Sequence, residues 1–383
     1  MRKLSVERKS GAGIWLLHLI GGYVFFLSAL LLPSAAYAEE LRILCWEGYA
    51  DAEYTQQFQK MIKEKYGTDL KITVRNVSDP QEFFDSIRGK DTDLISPAHN
   101  IPKSRLWQLI GKKVVLPVDL SHIPNYKNII PDLQHADYIT ENGKVYGVPI
   151  VYGPYGLAYN TAVFKKAPDS WHIFWDPQYA GKYAVSSDYY DANIYFAGLA
   201  AGFDRKDIFD YDKMNTPEIR TKLQKLAQNA KVFWKGVDTA EDLHGLAFAT
   251  AWGFALPELA KKGEIWKMAQ PKEGTTGWVD NWMIGISLRD NPQMKQIAEE
   301  WINYSLSPEV QVGYVRNIAQ FPVNLSIKDR LTAEEIRDFH LDDPGYFKKN
   351  LILWEVLRER DQNGFRKMWN DARAKEGARF DNF

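Results

Sequence analysis

Apolar positions in the first half of the chain switch repeatedly between two periods. Leu41 to Trp46 reads as a strand, and Ala52 to Tyr66 as an amphipathic helix that Gly67 ends. Leu70 to Val77 reads as a second strand and Pro80 to Ile87 as a helix with Pro near its start. A third short strand, Asp93 to Ser96, leads to a turn at Pro97 and a helix near Pro102 to Ile110. Strands alternating with helices predict parallel β-α-β units. In such sheets ligands collect beyond the carboxyl ends of the strands, here Trp46-Glu47-Gly48-Tyr49 and Pro97-Ala98-His99-Asn100.

From Tyr146 to Asn160 a strand pattern is broken several times by Gly and Pro, which suits a crossover or hinge. A second α/β pattern follows. It comprises Trp171 to Tyr179, a strand at Lys182 to Ser186, an acidic turn Ser187 to Asp191, a helix from Ala192 to Ala201 and a long helix from Pro217 to Trp234. A strand at Trp282 to Leu288 and a helix at Pro292 to Leu306 then resemble a return to the first lobe, and Thr332 to Lys375 reads as helices. The length exceeds the size at which single cores stop growing, so two domains are expected. Without a Gly/Ser-rich or Pro-rich linker, the lobes are expected to be joined by crossing strands.

The start of the chain changes the compartment. Arg2, Lys3, Arg8 and Lys9 precede an apolar run from Ile14 to Leu32, and small residues at Ala36 and Ala38 follow. This is the pattern of a signal peptide cleaved after Ala38. The alternative is an uncleaved anchor, since the run approaches the roughly 20 residues needed to span a bilayer. Without residues 1–38 the chain holds 44 Lys+Arg against 48 Asp+Glu, a formal charge of −4. A mildly acidic chain does not favour nucleic acid, which needs a clustered basic face, and it tolerates a cationic ligand. The single cysteine, Cys45, excludes an internal disulfide and reads as a small buried hydrophobe in a strand.

Candidate chemistry concentrates in Pro271 to Asp280. Residues i and i+2 of an extended segment share a face, so Trp278 and Asp280 present a π surface beside a carboxylate. That pair suits an ammonium ion, although a Trp near an Asp also arises from core packing beside a surface charge. Phosphate loops, HExxH and GxSxG are absent. The histidines lack close pair spacing for a metal, and no cofactor is implied. Asp188 and Asp191 are close enough in sequence to raise glycoside hydrolysis as an alternative, and aromatic platforms suit a sugar as well as an amine.

Several stretches, in order, carry a resemblance. Leu41 to Tyr49, Thr92 to Pro97, Trp175 to Lys182 with Ser187-Asp188, Pro271 to Asp280, and Asn303 with Ser307-Pro308-Glu309 are similar to the periplasmic spermidine/putrescine-binding proteins, the solute receptors of polyamine ABC importers. The resemblance implies an α/β, two-lobed periplasmic binding protein fold, each lobe a central mixed sheet flanked by helices, joined by crossing hinge strands. Lobe 1 is expected over 39–153 and 281–322, and lobe 2 over 154–280 and 323–383 with C-terminal helices. It further implies a non-catalytic receptor for a polyamine such as spermidine, putrescine or norspermidine, monomeric and periplasmic, presenting its ligand to an inner-membrane ABC permease. A membrane-bound sensor is the alternative partner, and a secreted carbohydrate-active hydrolase using Asp188 and Asp191 the alternative from another class.

Residue by residue, the resemblance assigns Trp46 and Tyr49 to first-lobe aromatics, Trp252 and Trp278 to rings flanking the methylene chain, and Asp280 to the amine grip. Asp188 and Asp191 match acidic contacts of the second lobe. Glu47, His99 and Gln320 are further candidates. They lie where this chain departs from the family: Gly48 replaces an acidic residue, Ala98 and Asn100 flank His99 in place of Ser and Tyr, and Gln320 stands for a Tyr.

Overall fold

The computed structural model describes residues 39–343 and 345–374. The signal peptide and its cleavage after Ala38 lie outside these. In chain order the strands are β1 (Glu39–Cys45), β2 (Leu70–Asn76), β3 (Leu94–Ile95), β4 (Val115–Leu116), β5 (Thr140–Glu141), β6 (Lys144–Val145), β7 (Val148–Asn160), β8 (Tyr183–Ser186), β9 (Val232–Trp234), β10 (Phe248–Ala251), β11 (Trp266–Met268), β12 (Thr275–Gly285), β13 (Phe321–Pro322) and β14 (Leu351–Leu353). The helices are α1 (Ala52–Tyr66), α2 (Gln81–Gly89), α3 (Tyr190–Ala200), α4 (Tyr211–Met214), α5 (Pro217–Asn229), α6 (Ala240–Leu243), α7 (Ala255–Lys261), α8 (Pro292–Ser305), α9 (Pro308–Ile318), α10 (Ala333–Asp338), α11 (Tyr346–Asn350) and α12 (Glu359–Ala374).

Hydrogen-bonded strands follow the order β2-β1-β3-β12-β7-β10-β8-β9. β1 runs parallel to β2 and β3, and β8 runs parallel to β9 and β10. Between these parallel groups lie the two longest strands, β7 and β12, paired antiparallel from Thr276↔Tyr155 to Trp282↔Val148. The far end of β12 pairs with β3, and the far end of β7 pairs with β10. Each long strand therefore crosses from one group to the other, so the sheet is mixed and the crossing is made by strands. Every residue of β7 and of β12 is buried, the polar Thr276, Asp280 and Asn281 of β12 among them.

Local signals explain the first elements. α1 ends where Gly67 takes φ 69° and its N–H reaches the Lys63 carbonyl, a left-handed cap that glycine adopts without steric cost. Buried Phe58 packs edge-on to Trp301 of α8 at 5.2 Å, and Trp301 meets Trp282 of β12 at 6.1 Å. Replacing Trp282 or Trp301 by Ala costs about 3–5 kcal/mol on the scale of large-to-small core changes. Cys45 is fully buried, and burial pushes its thiol up.

Several expected elements differ. No helix forms at Pro102 to Ile110: the segment closes on short turns such as Ser104 N–H to Ile101 O, and Gln108 takes a positive φ of 48°. α5 stops at Asn229, because Ala230 is extended and the Lys231 N–H bonds Tyr183 O, which starts β9 beside β8. Trp171 to Tyr179 forms two short 3-10 turns. The tail, read as wholly helical, contains β14, which pairs in parallel with Thr275–Gly277 of β12 before α12 packs on α3 and α5.

Candidate ligand-binding site

Strand ends from both parallel groups, together with the middle of β12, surround a cavity of about 780 Å³. Trp46, Tyr49, Asp188, Asp191, Trp252, Trp278 and Asp280 all line it. Trp278 and Asp280 alternate along β12 as their spacing requires, with Val279 between them turned into the core. Register shifts between Asp280 and Asn281, and such a bulge re-aims the side chains beside it.

Asp280 is 4% exposed and accepts a 2.7 Å hydrogen bond from the Tyr49 hydroxyl. Burial pushes its carboxyl up to about 8, and the Tyr49 bond only partly opposes this. Tyr49 itself is held from behind, its carbonyl accepting from the Tyr314 hydroxyl at 2.9 Å. Gly48 makes this turn possible. It has φ +86°, and a Cβ there would lie 2.6 Å from Ile318 Cγ2, so an acidic side chain has no room at this position. Glu47 is exposed outside the cavity wall.

Trp252 is the centre of the aromatic wall. Its ring centroid lies 4.8 Å from Tyr189, 6.0 Å from Trp278 and 5.7 Å from Trp354, mostly in edge or tilted contacts. Its backbone is fixed by buried Asp238, which accepts from the N–H groups of Trp252 at 2.7 Å and Ala255 at 3.0 Å. Burial raises the Asp238 carboxyl to about 6 against the pull of these donors. Trp46 stands edge-on to Phe83 at 5.6 Å, and its backbone N–H donates to Ser96 Oγ at 3.1 Å.

The two acids of the Ser187–Asp191 turn differ from one another. Asp188 has a donor on each oxygen, Ser186 Oγ–H at 2.8 Å and the Gly236 N–H at 3.0 Å, so it ties two loops together as well as facing the cavity. Asp191 lies in the first turn of α3, takes the Ala192 N–H at 2.9 Å, and is pushed up to about 6 by burial. Six carboxylates and three arginines line the cavity, leaving an excess of acid that suits a cation.

His99 and Gln320 do not line the cavity. His99 is buried behind it, its ring on backbone groups of β12 and of Trp354. Gln320 is fully buried and donates to the Ile318 carbonyl. It lies with Trp278 over Gly153, where a Cβ would come within 3.1 Å of the indole and 3.3 Å of Gln320 Oε1. Sequence reasoning passed over Trp354 and Tyr189, both in the cavity wall. Tyr189 lay inside the acidic turn already singled out, and only its two flanking acids drew notice. Among the described residues no group of three or more His, Cys, Asp or Glu is arranged to hold a metal, and no helix is long and apolar enough to cross a membrane.

Residues 53–341 match the bacterial extracellular solute-binding protein family. The chain belongs to that family. It is 24% identical over 336 residues to the spermidine/putrescine-binding periplasmic protein of Escherichia coli K12, covering 85% of this chain and 88% of that one. It is 22% identical over 368 residues to the putrescine-binding periplasmic protein SpuD of Pseudomonas aeruginosa, covering 88% and 93%. Its fold matches the crystal structure of the spermidine/putrescine ABC transporter substrate-binding protein PotD of Streptococcus pneumoniae, with a TM-score of 0.70 at 19% identity over 88% of this chain and 99% of that one. The resemblance read from sequence is thus a family relationship, and the two-lobed α/β fold it implied is the fold present. This member is a solute-binding protein and not an enzyme, which sets aside the hydrolase reading of Asp188 and Asp191.

Proposed function

We propose that this chain is a periplasmic receptor for a linear polyamine, with Asp280 and Tyr49 gripping one ammonium and Trp278, Trp252 and Trp46 covering the methylene linkers. The observation that carries this reading is a buried carboxyl beside indole rings in an acid-rich cavity. A polyamine offers protonated nitrogens separated by apolar linkers, so rings bury the linkers while carboxylates replace the lost water. Each cation-π contact contributes about 0.5–2 kcal/mol. A few such contacts with two or three charge pairs reach the roughly 8 kcal/mol of micromolar binding once ordering costs are subtracted.

In this reading 39–153 with 281–322 forms one lobe and 154–280 with 323–383 the other, and ligand draws them together about β7 and β12. The closed form is the shape an inner-membrane ABC permease recognises, a partner supported by the relatives' printed roles. Calorimetry on protein unfolded and refolded to strip carried-over ligand tests the proposal, with spermidine, putrescine, norspermidine and cadaverine as titrants. Heat and a thermal shift are expected with at least one amine. Neither with any of the four refutes the reading.

A further inference from the structure

We propose that Trp354 is a ligand-contacting ring of this site and that His99, behind the cavity, is the residue that positions it. The first half rests on the polyamine reading above; the second stands on the ligand-free structure.

Trp354 reaches the cavity on a short support. It follows the three residues of β14, its N–H bonding Gly277 O at 3.2 Å, and four residues without regular structure separate it from α12. The ring lies 5.7 Å from Trp252 and 6.4 Å from Tyr189, and so extends the aromatic wall in the direction of α12. Where the strand pairing ends, the Trp354 carbonyl meets His99 Nε2 at 2.8 Å.

That imidazole makes a second contact that defines its chemistry. The Val279 N–H points at His99 Nδ1 at 3.3 Å, while the backbone N–H of His99 donates to Val279 O at 2.7 Å. A backbone N–H can only donate, so Nδ1 carries the lone pair. Nε2 then carries the proton and donates to the Trp354 carbonyl. The ring is 5% exposed, and burial holds it neutral, its pKa lowered to about 4.

Val279 lies between Trp278 and Asp280. One imidazole therefore joins the backbone that sets Trp278 and Asp280 to the backbone that sets the Trp354 indole. The cross-link spans 255 residues of sequence. It adds to the isolated bridge between Ala98 and Asp280, and it gives His99 a function although its side chain never reaches the cavity.

Asn and Gln separate the two bonds. An Asn amide oxygen stands where Nδ1 accepts, whereas the longer Gln places its amide N–H₂ where Nε2 donates. The experiment uses spermidine calorimetry on wild type, His99→Asn, His99→Gln, Trp354→Ala and the His99→Asn/Trp354→Ala double variant. In parallel, ¹⁹F spectra of 5-fluorotryptophan protein are recorded, with the Trp354 resonance identified by its loss in Trp354→Phe.

Trp354→Ala is expected to weaken spermidine tenfold or more, His99→Asn to approach that loss and His99→Gln to stay within threefold of wild type. In the double variant His99→Asn should add less than twofold. Without ligand, the Trp354 resonance should move in His99→Asn and hold in His99→Gln. Trp354→Ala binding within twofold of wild type overturns the ring contact. An undiminished His99→Asn effect in the double variant, or an unmoved ligand-free resonance, overturns the positioning role. If wild type takes up no spermidine, the amine reading and Trp354 as an amine contact both fall, and the ligand-free spectrum alone decides the role of His99.

Discussion

Replacing Asp280 by Asn separates folding from binding in opposite directions. In the folded chain the carboxyl titrates at about 8 because it is buried, against an ordinary value of 3.8 in the unfolded chain. Between those values the unfolded chain has released its proton while the folded chain holds it. The folded state thus binds more protons, and stability falls as pH rises. The loss is about 1.4 kcal/mol per pH unit across the window, reaching about 4 kcal/mol at pH 7 as an upper bound. Asn mimics the protonated carboxyl and still accepts from the Tyr49 hydroxyl, so the variant escapes this cost.

Urea unfolding of ligand-free wild type and Asp280→Asn at pH 5, 6, 7 and 8 should therefore show the variant gaining on wild type at each step. The same variant should bind spermidine at least tenfold more weakly, about 1.4 kcal/mol, because an amide offers no charge to an ammonium. Stability curves that run parallel from pH 5 to 8 would refute the reasoning, since they would mean that Asp280 titrates alike in both states.

Further outcomes follow from the same geometry. A cation needs Asp280 ionised, so below its pKa of about 8 affinity should rise with pH, about tenfold from pH 6 to 7. Calorimetry at pH 7 in buffers of different ionisation heat should count about one proton released per spermidine. Asp238→Ala leaves the buried N–H groups of Trp252 and Ala255 without their acceptor. About 1–3 kcal/mol per orphaned group should appear in urea unfolding, with weaker spermidine binding as Trp252 loosens. Gly48→Ala forces a Cβ onto Ile318 at φ +86° and should cost about 1–3 kcal/mol of stability, read from the same denaturation curves.

What the sequence by itself determined is the part governed by neighbours along the chain. Gly67 stops α1 because a left-handed residue is needed there, and Trp278 and Asp280 share a face because strand side chains repeat every two residues. The order of motifs was legible too, and it brought seven candidate residues to one cavity. Tertiary structure decided what depends on distant partners. Leu351–Leu353 is a strand only because β12, some 75 residues earlier, offers it free backbone groups, and so short an apolar run has no period of its own. Likewise Val232–Trp234 leaves the helical pattern of α5 because β8 is there to pair with it. His99 looked like a ligand group from its place after β3. Packing turned its ring inward onto Val279 and Trp354, and no local rule of spacing encodes which way a buried imidazole faces.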